Sequence, residues 1–273
     1  LLGGAQRRVS YQYDPAGNRS RTTWPDNYFV HYQYDALNRM QTVRENSTSA
    51  NEIAFYEYDS LSRRTALRLG GQSTHRTTYS YEPDNHLDVL SHYLNSATPS
   101  VTLDYGYNHS GQITSIAAND DFYLPSPAAT STQIYVPDKL NRYGSLTVGG
   151  VATTPTYDLN GNLLTWGPTA TRQTYSYDAE NRLRSANVTG GANTAYAYDA
   201  LGRRTSKSVS STLTYYLLDG DEEIAEYNAS GTVLRRYITG PGVDDRIARA
   251  EGSATSNPTK HYYHTNHQRS VIA

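Results

Sequence analysis

A short stretch, Tyr11-Gln12-Tyr13-Asp14-Pro15-Ala16-Gly17-Asn18-Arg19, returns again and again along this chain. Tyr32-Gln33-Tyr34-Asp35 runs on to Arg39, and Tyr56-Glu57-Tyr58-Asp59 to Arg63. Tyr175-Ser176-Tyr177-Asp178 runs to Arg182, and Tyr196-Ala197-Tyr198-Asp199 through Gly202 to Arg203. Self-similarity at a near-fixed period constrains a fold more than any single residue does. Each copy must be one structural unit that buries its apolar side against its neighbours.

The chemistry of a copy says which unit. Side chains alternate along an extended backbone, so Tyr-x-Tyr sets two rings on one face, and Tyr favours strands. The Asp carboxylate accepts from backbone N–H groups ahead of it, and Gly or Asn three residues on tolerates positive φ; together they make a turn. Alternation then resumes, as in Arg39-Met40-Gln41-Thr42-Val43. Each copy is therefore expected to be a β-hairpin. The residue after the second aromatic falls at 14, 35, 59, 82, 108, 138, 158, 178, 199 and 219, at spacings of 20 to 30. Glu82 and Asn108 replace Asp, and Asp138 and Asp219 close degenerate copies. Such spacings hold a hairpin and a variable connection. Extra residues, such as those from Asp120 to Ser131, are expected in loops, and Gly70-Gly71, Gly149-Gly150 and Gly190-Gly191 in second tight turns. No stretch carries a 3.6-residue apolar period, so no α-helix is expected.

Arg follows the turns as Arg19, Arg39, Arg63, Arg182 and Arg203. The favoured reading pairs it with the turn Asp or stacks it on a neighbouring Tyr. The alternative is a sugar or phosphate contact. Composition fits a thin core. The chain has 26 Tyr against 3 Phe and a mean hydropathy of −0.70, which suits a large sheet with one apolar and one wetted face. A net charge of −2 gives no basic surplus for nucleic acid or an anionic membrane. The absence of Cys rules out disulfides and thiol chemistry, and no apolar run is long enough for a membrane-spanning helix. No catalytic motif occurs, so neither enzymatic activity nor a cofactor is expected. His261, His264 and His267 are three apart, and on a strand they would point to alternate sides rather than converge on a metal. Asp219, Asp221, Glu222, Glu223, Asp244 and Asp245 read as solvated turns rather than a calcium loop.

The tandem Tyr-x-Tyr-Asp-x-x-Gly/Asn-Arg copies resemble the YD repeats of the Rhs (rearrangement hotspot) family. That family includes bacterial polymorphic toxins, the C subunit of insecticidal Tc toxins and, more distantly, teneurins. Arg235-Arg236-Tyr237 through Pro241-Gly242-Val243-Asp244, and Tyr262-Tyr263-His264-Thr265-Asn266-His267, resemble the end of an Rhs core. Gln268-Arg269 departs from the Leu-Gly common there, which puts the local turn in doubt. The resemblance implies an all-β fold in which repeat hairpins form a continuous sheet spiralling into a hollow shell. Residues 1–240 would be the repeat array and 241–273 the end region of the core. The chain would be a fragment of a larger protein. The implied role is to encapsulate a C-terminal effector domain of the same polypeptide, released by an aspartyl autoprotease. Other shell segments or a capping chain are implied as partners, and a secreted or cell-surface location. The cleavage motif is expected downstream; Asp14-Pro15-Ala16-Gly17 matches it superficially but reads as a turn. The alternative role is carbohydrate binding or adhesion through the Tyr-rich face. Tyr rings packed on neighbouring repeats favour the first role, and rings standing free in a groove the second.

Overall fold

The computed structural model describes residues 7–120, 133–148, 150–242 and 244–272. Leu1 to Gln6, the connection from 121 to 132, Gly149, Val243 and Ala273 lie outside them. The chain is all-β, and among the described residues the one helical element is a short 3-10 turn, Thr169–Thr171.

The first ten strands are β1 (Ser10–Tyr13), β2 (Arg19–Thr23), β3 (Phe29–Tyr34), β4 (Met40–Glu45), β5 (Glu52–Tyr58), β6 (Arg64–Leu69), β7 (Gln72–Tyr81), β8 (Leu87–Leu94), β9 (Val101–Tyr107) and β10 (Ile113–Ala118). Next come β11 (Gln133–Pro137), β12 (Tyr143–Val148), β13 (Val151–Thr153), β14 (Thr156–Tyr157), β15 (Leu163–Trp166), β16 (Gln173–Tyr177), β17 (Leu183–Val188), β18 (Asn193–Tyr198), β19 (Arg204–Val209), β20 (Thr212–Asp219) and β21 (Glu222–Asn228). The last are β22 (Val233–Thr239), β23 (Arg246–Glu251) and β24 (Lys260–Tyr262).

The chain divides into two compact units, Leu1–Ser126 with Arg235–Ala273, and Pro127–Leu234. In the first, β1 to β10 form one sheet in sequence order, a meander of antiparallel neighbours. Near the end of the chain β22 pairs with β23 and β23 with β24, again antiparallel. In the second unit β11, β12 and β13 pair in order, and β14 to β21 continue the same meander.

One feature of the Tyr-x-Tyr-Asp hairpins escapes simple alternation. Between the x and the second Tyr the pairing slips by one residue: Tyr32 faces Val43, but Tyr34 faces Met40. The same slip occurs at Gln12/Tyr13, Glu57/Tyr58, Ser176/Tyr177 and Ala197/Tyr198. Its cause lies in the turn. Asp35 donates its backbone N–H to the carbonyl of Arg39, Asn38 donates to the carbonyl of Asp35, and Asn38 sits at φ 59. A type I turn followed by a left-handed residue necessarily makes a β-bulge.

Burial differs between the units. Strand β5 carries Ile53, Ala54 and Tyr56 essentially inaccessible to water. Strand β18 alternates between exposed and half-buried positions, so one face there stays wet. Two of the second tight turns, Gly70-Gly71 and Ser210-Ser211, are two residues long. Gly70 and Gly71 lie at φ 64 and 69, and Ser210 and Ser211 take the same left-handed pair at φ 45 and 71. Ser carries a Cβ penalty there that Gly does not. Ser211→Gly is expected to stabilise the second unit by about 0.5 kcal/mol, read as a rise in its urea midpoint.

One expectation about the copies needs correction. Asp219 does not close a repeat turn: it pairs with Glu222 around a two-residue turn at Gly220, φ 62. The repeat-type turn comes nine residues later, where Asn228 Oδ1 accepts from the Thr232 N–H and Gly231 lies at φ 82. Asn228 follows Tyr227 and stands three before Gly231, a signal the stricter pattern passed over.

Candidate functional site

The repeating residues form a clamp within each turn and a staple to the next. In the second copy Asp35 Oδ1 accepts from the backbone N–H of Leu37 and of Arg39, at 2.9 and 3.0 Å, and Oδ2 accepts from Arg39 Nε at 2.7 Å. Asp59, Asp138, Asp178 and Asp199 make the same three bonds, with Arg63, Arg142, Arg182 and Arg203. The first copy differs: Asn18 fills the clamp position on Asp14 at 3.0 Å, above Gly17 at φ 86. Arg19 is one residue too late and lies over the Tyr11 ring, 4.5 Å away.

These bonds hold the carboxyls low. The Arg39 side chain bonded to Asp35, and the backbone N–H of Arg182 bonded to Asp178, keep both below the ordinary 3.8. Depressed carboxylates stabilise the fold above that value, and their contribution is lost as the pH falls through the lowered ones.

The second Tyr of several copies reaches back one rung. Tyr34 OH donates to the Arg19 carbonyl at 3.0 Å, Tyr58 OH to Met40 at 2.7 Å, Tyr81 OH to Arg64 at 2.8 Å and Tyr198 OH to Leu183 at 2.8 Å. Each acceptor lies five residues after the preceding turn's acidic residue. The ring of the same Tyr carries the preceding rung's clamp Arg: Arg39 lies 4.5 Å over Tyr58, Arg63 4.6 Å over Tyr81 and Arg182 5.2 Å over Tyr198. Arg39, Arg182 and Arg203 also donate forward, to the carbonyls of Asp59, Asp199 and Gly220. Tyr–Arg–Asp is thus a connector between rungs. The first Tyr sits deeper, with Tyr32 and Tyr56 buried, while Tyr175 and Tyr196 lie on the wetter second unit, Tyr196 beneath Arg204 at 5.9 Å. Tyr13 is exposed at the first rung and Tyr177 is half-buried. Tyr58→Phe and Tyr198→Phe are each expected to cost about 1 kcal/mol, seen as faster amide exchange in the strands on either side.

A cleft of about 670 Å³ in the first unit is lined by Tyr34, Arg39, Tyr58, Arg64, Gly240 and Pro241. The Tyr34 and Tyr58 hydroxyls and Arg39 are engaged in the bonds just described. Sequence reasoning missed what lies beneath. Asp245 is buried rather than solvated, its carboxylate 3.6 Å from Arg64. Arg236 is wholly buried: it pairs with Asp26, stacks 4.5 Å over Tyr28 and donates to the carbonyls of Gly252 and Ala254. Glu45, also buried, accepts from Tyr28 OH and from Lys260, at 2.9 and 2.8 Å.

The terminal histidines go to three different places. His261 is exposed, 4.0 Å from Glu251, His264 is buried against His75 and His92, and His267 meets Tyr105 OH at 3.3 Å. His264 offers its two nitrogens to different partners, so no single ion could take both of its neighbours with it as ligands. Among the described residues Glu82, Asp84 and His86 bring three ligand atoms together. They occupy the turn where Glu82 and His86 replace the Asp and Arg of the clamp, and His86 Nδ1 meets Asp84 at 2.9 Å in its stead. The Gln268-Arg269 departure does not break its turn. Asn266 Oδ1 accepts from Gln268 and Ser270, and Arg269 takes the left-handed position at φ 62.

Fold and connectors together define a tandem-hairpin repeat protein. No protein-family model matches the chain. Over 121 residues, 43% of its length, it is 33% identical to the tRNA3(Ser)-specific nuclease WapA of Bacillus spizizenii. The matched stretch is 5% of WapA, so the chain spans only a small part of that relative. Among solved structures it is similar to TcdB2-TccC3-Cdc42, with a TM-score of 0.44 and 14% identity over 88% of this chain and 16% of that one. It is also similar to TcdB2-TccC3-TEV, at 0.43 and 15% over 94% and 16%. Among the described residues no helix is long and apolar enough to cross a membrane.

Proposed function

We propose that the chain is a wall segment of an Rhs-type shell, which encloses an effector domain carried further along the same polypeptide. The observation that carries this reading is the commitment of the repeated side chains. In rung after rung the second Tyr gives its hydroxyl to one neighbour's carbonyl and its ring to that neighbour's Arg. Residues spent in this way build a continuous wall. They do not stand free to stack sugars, which weighs against the Tyr-rich face as a carbohydrate-binding or adhesion surface. The match to a short part of a much longer nuclease supports a segment of a larger toxin-like protein. On this reading residues 1–240 are the array, 241–273 close it, the segment itself is non-enzymatic, and the whole is secreted or delivered outside the producing cell. Flanking shell segments or a capping chain would cover the outer sheet edges.

Limited proteolysis of the full-length parent, read by mass spectrometry, tests the proposal. The expected result is that the part after residue 273 survives protease while it stays with the array. Rapid degradation of that part beside an intact array would overturn it.

A further inference from the structure

From β24 onward the chain runs back over the ten-stranded sheet of the first unit as a strap, meeting successive strands in order. Lys260 pairs with Glu45 of β4 at 2.8 Å. Tyr262 covers Gly70, where an added Cβ would lie 3.0 Å from its hydroxyl, and meets the His75 ring of β7 edge-on at 5.2 Å. His264 reaches β7 and β8, His267 reaches Tyr105 of β9, and Ile272 packs on the apolar cluster of Leu90, Val101, Leu103 and Tyr105. The strap folds on itself through the Asn266 turn and the bond from Ile272 N–H to the His264 carbonyl, 2.8 Å.

Its centre is three imidazoles. His264 Nε2 lies 2.9 Å from His75 Nε2, with the rings stacked at 5.0 Å. On its other side His264 Nδ1 is 3.2 Å from both Thr77 Oγ1 and His92 Nδ1, and Thr77 Oγ1 is 2.9 Å from His92 Nδ1. Both His92 and His264 are buried. Two facing ring nitrogens at 2.9 Å share one proton. A second would set N–H against N–H and bring a charge into a site that has no counter-charge in contact among the described residues. The groups facing the cluster are Thr77 and His75 from β7, His92 from β8, and Tyr262 from β24. Beyond Tyr262 lies the pair Lys260–Glu45, whose carboxylate is taken by Lys260 and Tyr28. The neighbours that act on His264 are His92 and His75, and both oppose its protonation.

We propose that this strap is an acid-released latch: protonation of the His75–His92–His264 cluster unseats residues 260–272 while the ten-stranded sheet beneath stays folded. The inference stands on the strap's own contacts and is independent of the shell reading. Burial holds His264 down to about 3 and His92 to about 4, and lowers His75 as well, from the ordinary 6.5. The sign follows. Above 6.5 both states are neutral and the seat has its full strength. Below it the unseated strap and its bared partners take up protons that the seated one refuses. The seated fraction therefore falls with pH, down to the lowered values. Each such His shifts the equilibrium about tenfold per pH unit. With His264 and His92 together, the change from pH 6.5 to 4.5 is roughly two-thousandfold. Release would bare the apolar patch of Leu90, Val101 and Leu103.

Hydrogen exchange of the full chain at pH 7.5 and 5.0, with exposure times scaled for the intrinsic rate, tests the latch. The expected result is that peptides covering 260–272 lose at least about a hundredfold of protection at the lower pH, while β5 and β6 keep theirs. His264→Gln and His92→Gln should each remove about tenfold of that response per pH unit. If those variants do not fold, titration of the wild-type imidazole protons by NMR decides the matter. Cluster midpoints well below 6.5 support the latch, and midpoints near 6.5 in the folded protein overturn it. Equal strap protection at both pH values, or loss of the strap together with β5 and β6, overturns it as well.

Discussion

Arg236→Ala is expected to destabilise the first compact unit by about 3 kcal/mol, at the lower end of the range for breaking a buried ion pair. Arg236 is 0% exposed and stands on β22, far along the chain from Asp26 and Tyr28. Its guanidinium pairs with Asp26, lies on the Tyr28 ring and donates to two carbonyls of the β23–β24 connection. Alanine strands all of these at once and opens a cavity beneath Tyr28. The Asp26 side chain is 28% exposed and recovers some hydration, which keeps the loss near the low end. Arg236→Lys keeps the charge but not the planar fork, and should still lose about 1.5 kcal/mol. Urea titration of both variants, followed by tyrosine fluorescence, checks this. An alanine loss under about 1 kcal/mol would show that the network contributes little.

The second large effect separates the two tyrosines of a single copy. Tyr56→Ala is expected to cost about 3–5 kcal/mol, as for other large buried aromatics. Tyr56→Phe should cost nothing or stabilise by up to about 1 kcal/mol. The Tyr56 ring is 1% exposed and lies under Arg64 at 4.7 Å, whereas its hydroxyl has no hydrogen-bond partner among the described residues. A Cβ on Gly240 would come within 2.6 Å of that oxygen, so the site is both crowded and unsatisfied. Two residues on, the Tyr58 hydroxyl is spent on the Met40 carbonyl. Phenylalanine should therefore have opposite signs at the two positions, measurable as opposite shifts in urea midpoint. Equal losses at both would mean that the Tyr56 hydroxyl is paired after all.

The same contrast shows what was legible in the sequence. The repeat was, because Tyr-x-Tyr, Asp and Gly or Asn at set offsets act locally: spacing on a strand and hydrogen bonding within five residues decide the hairpin. The clamp Arg was legible for Arg39, Arg63, Arg182 and Arg203, but not at the first rung, where Asn18 takes the role and Arg19 follows one residue late. The bulge was latent in the positive-φ position at Asn38 and Gly17, since a left-handed residue after a type I turn forces it. Asp219 misled because an acidic residue before Gly also suits a two-residue turn. The partners of Arg236, Asp245 and His264 were out of reach. His264 meets His92 across 172 residues and Arg236 meets Asp26 across 210. No local period encodes which distant strands come together, so Arg236 read as part of a terminal signature and Asp245 as a solvated turn.

The most direct test of the wall is to unfold it while watching what it is proposed to enclose. Full-length parent would be taken through a urea series. At each step a brief protease pulse would report on the region after residue 273, and tyrosine fluorescence on the array. The account predicts a single coincident midpoint: that region becomes cleavable only when the array opens, and Arg236→Ala moves both transitions down together. Cleavage well below the array's transition, unmoved by Arg236→Ala, would contradict it.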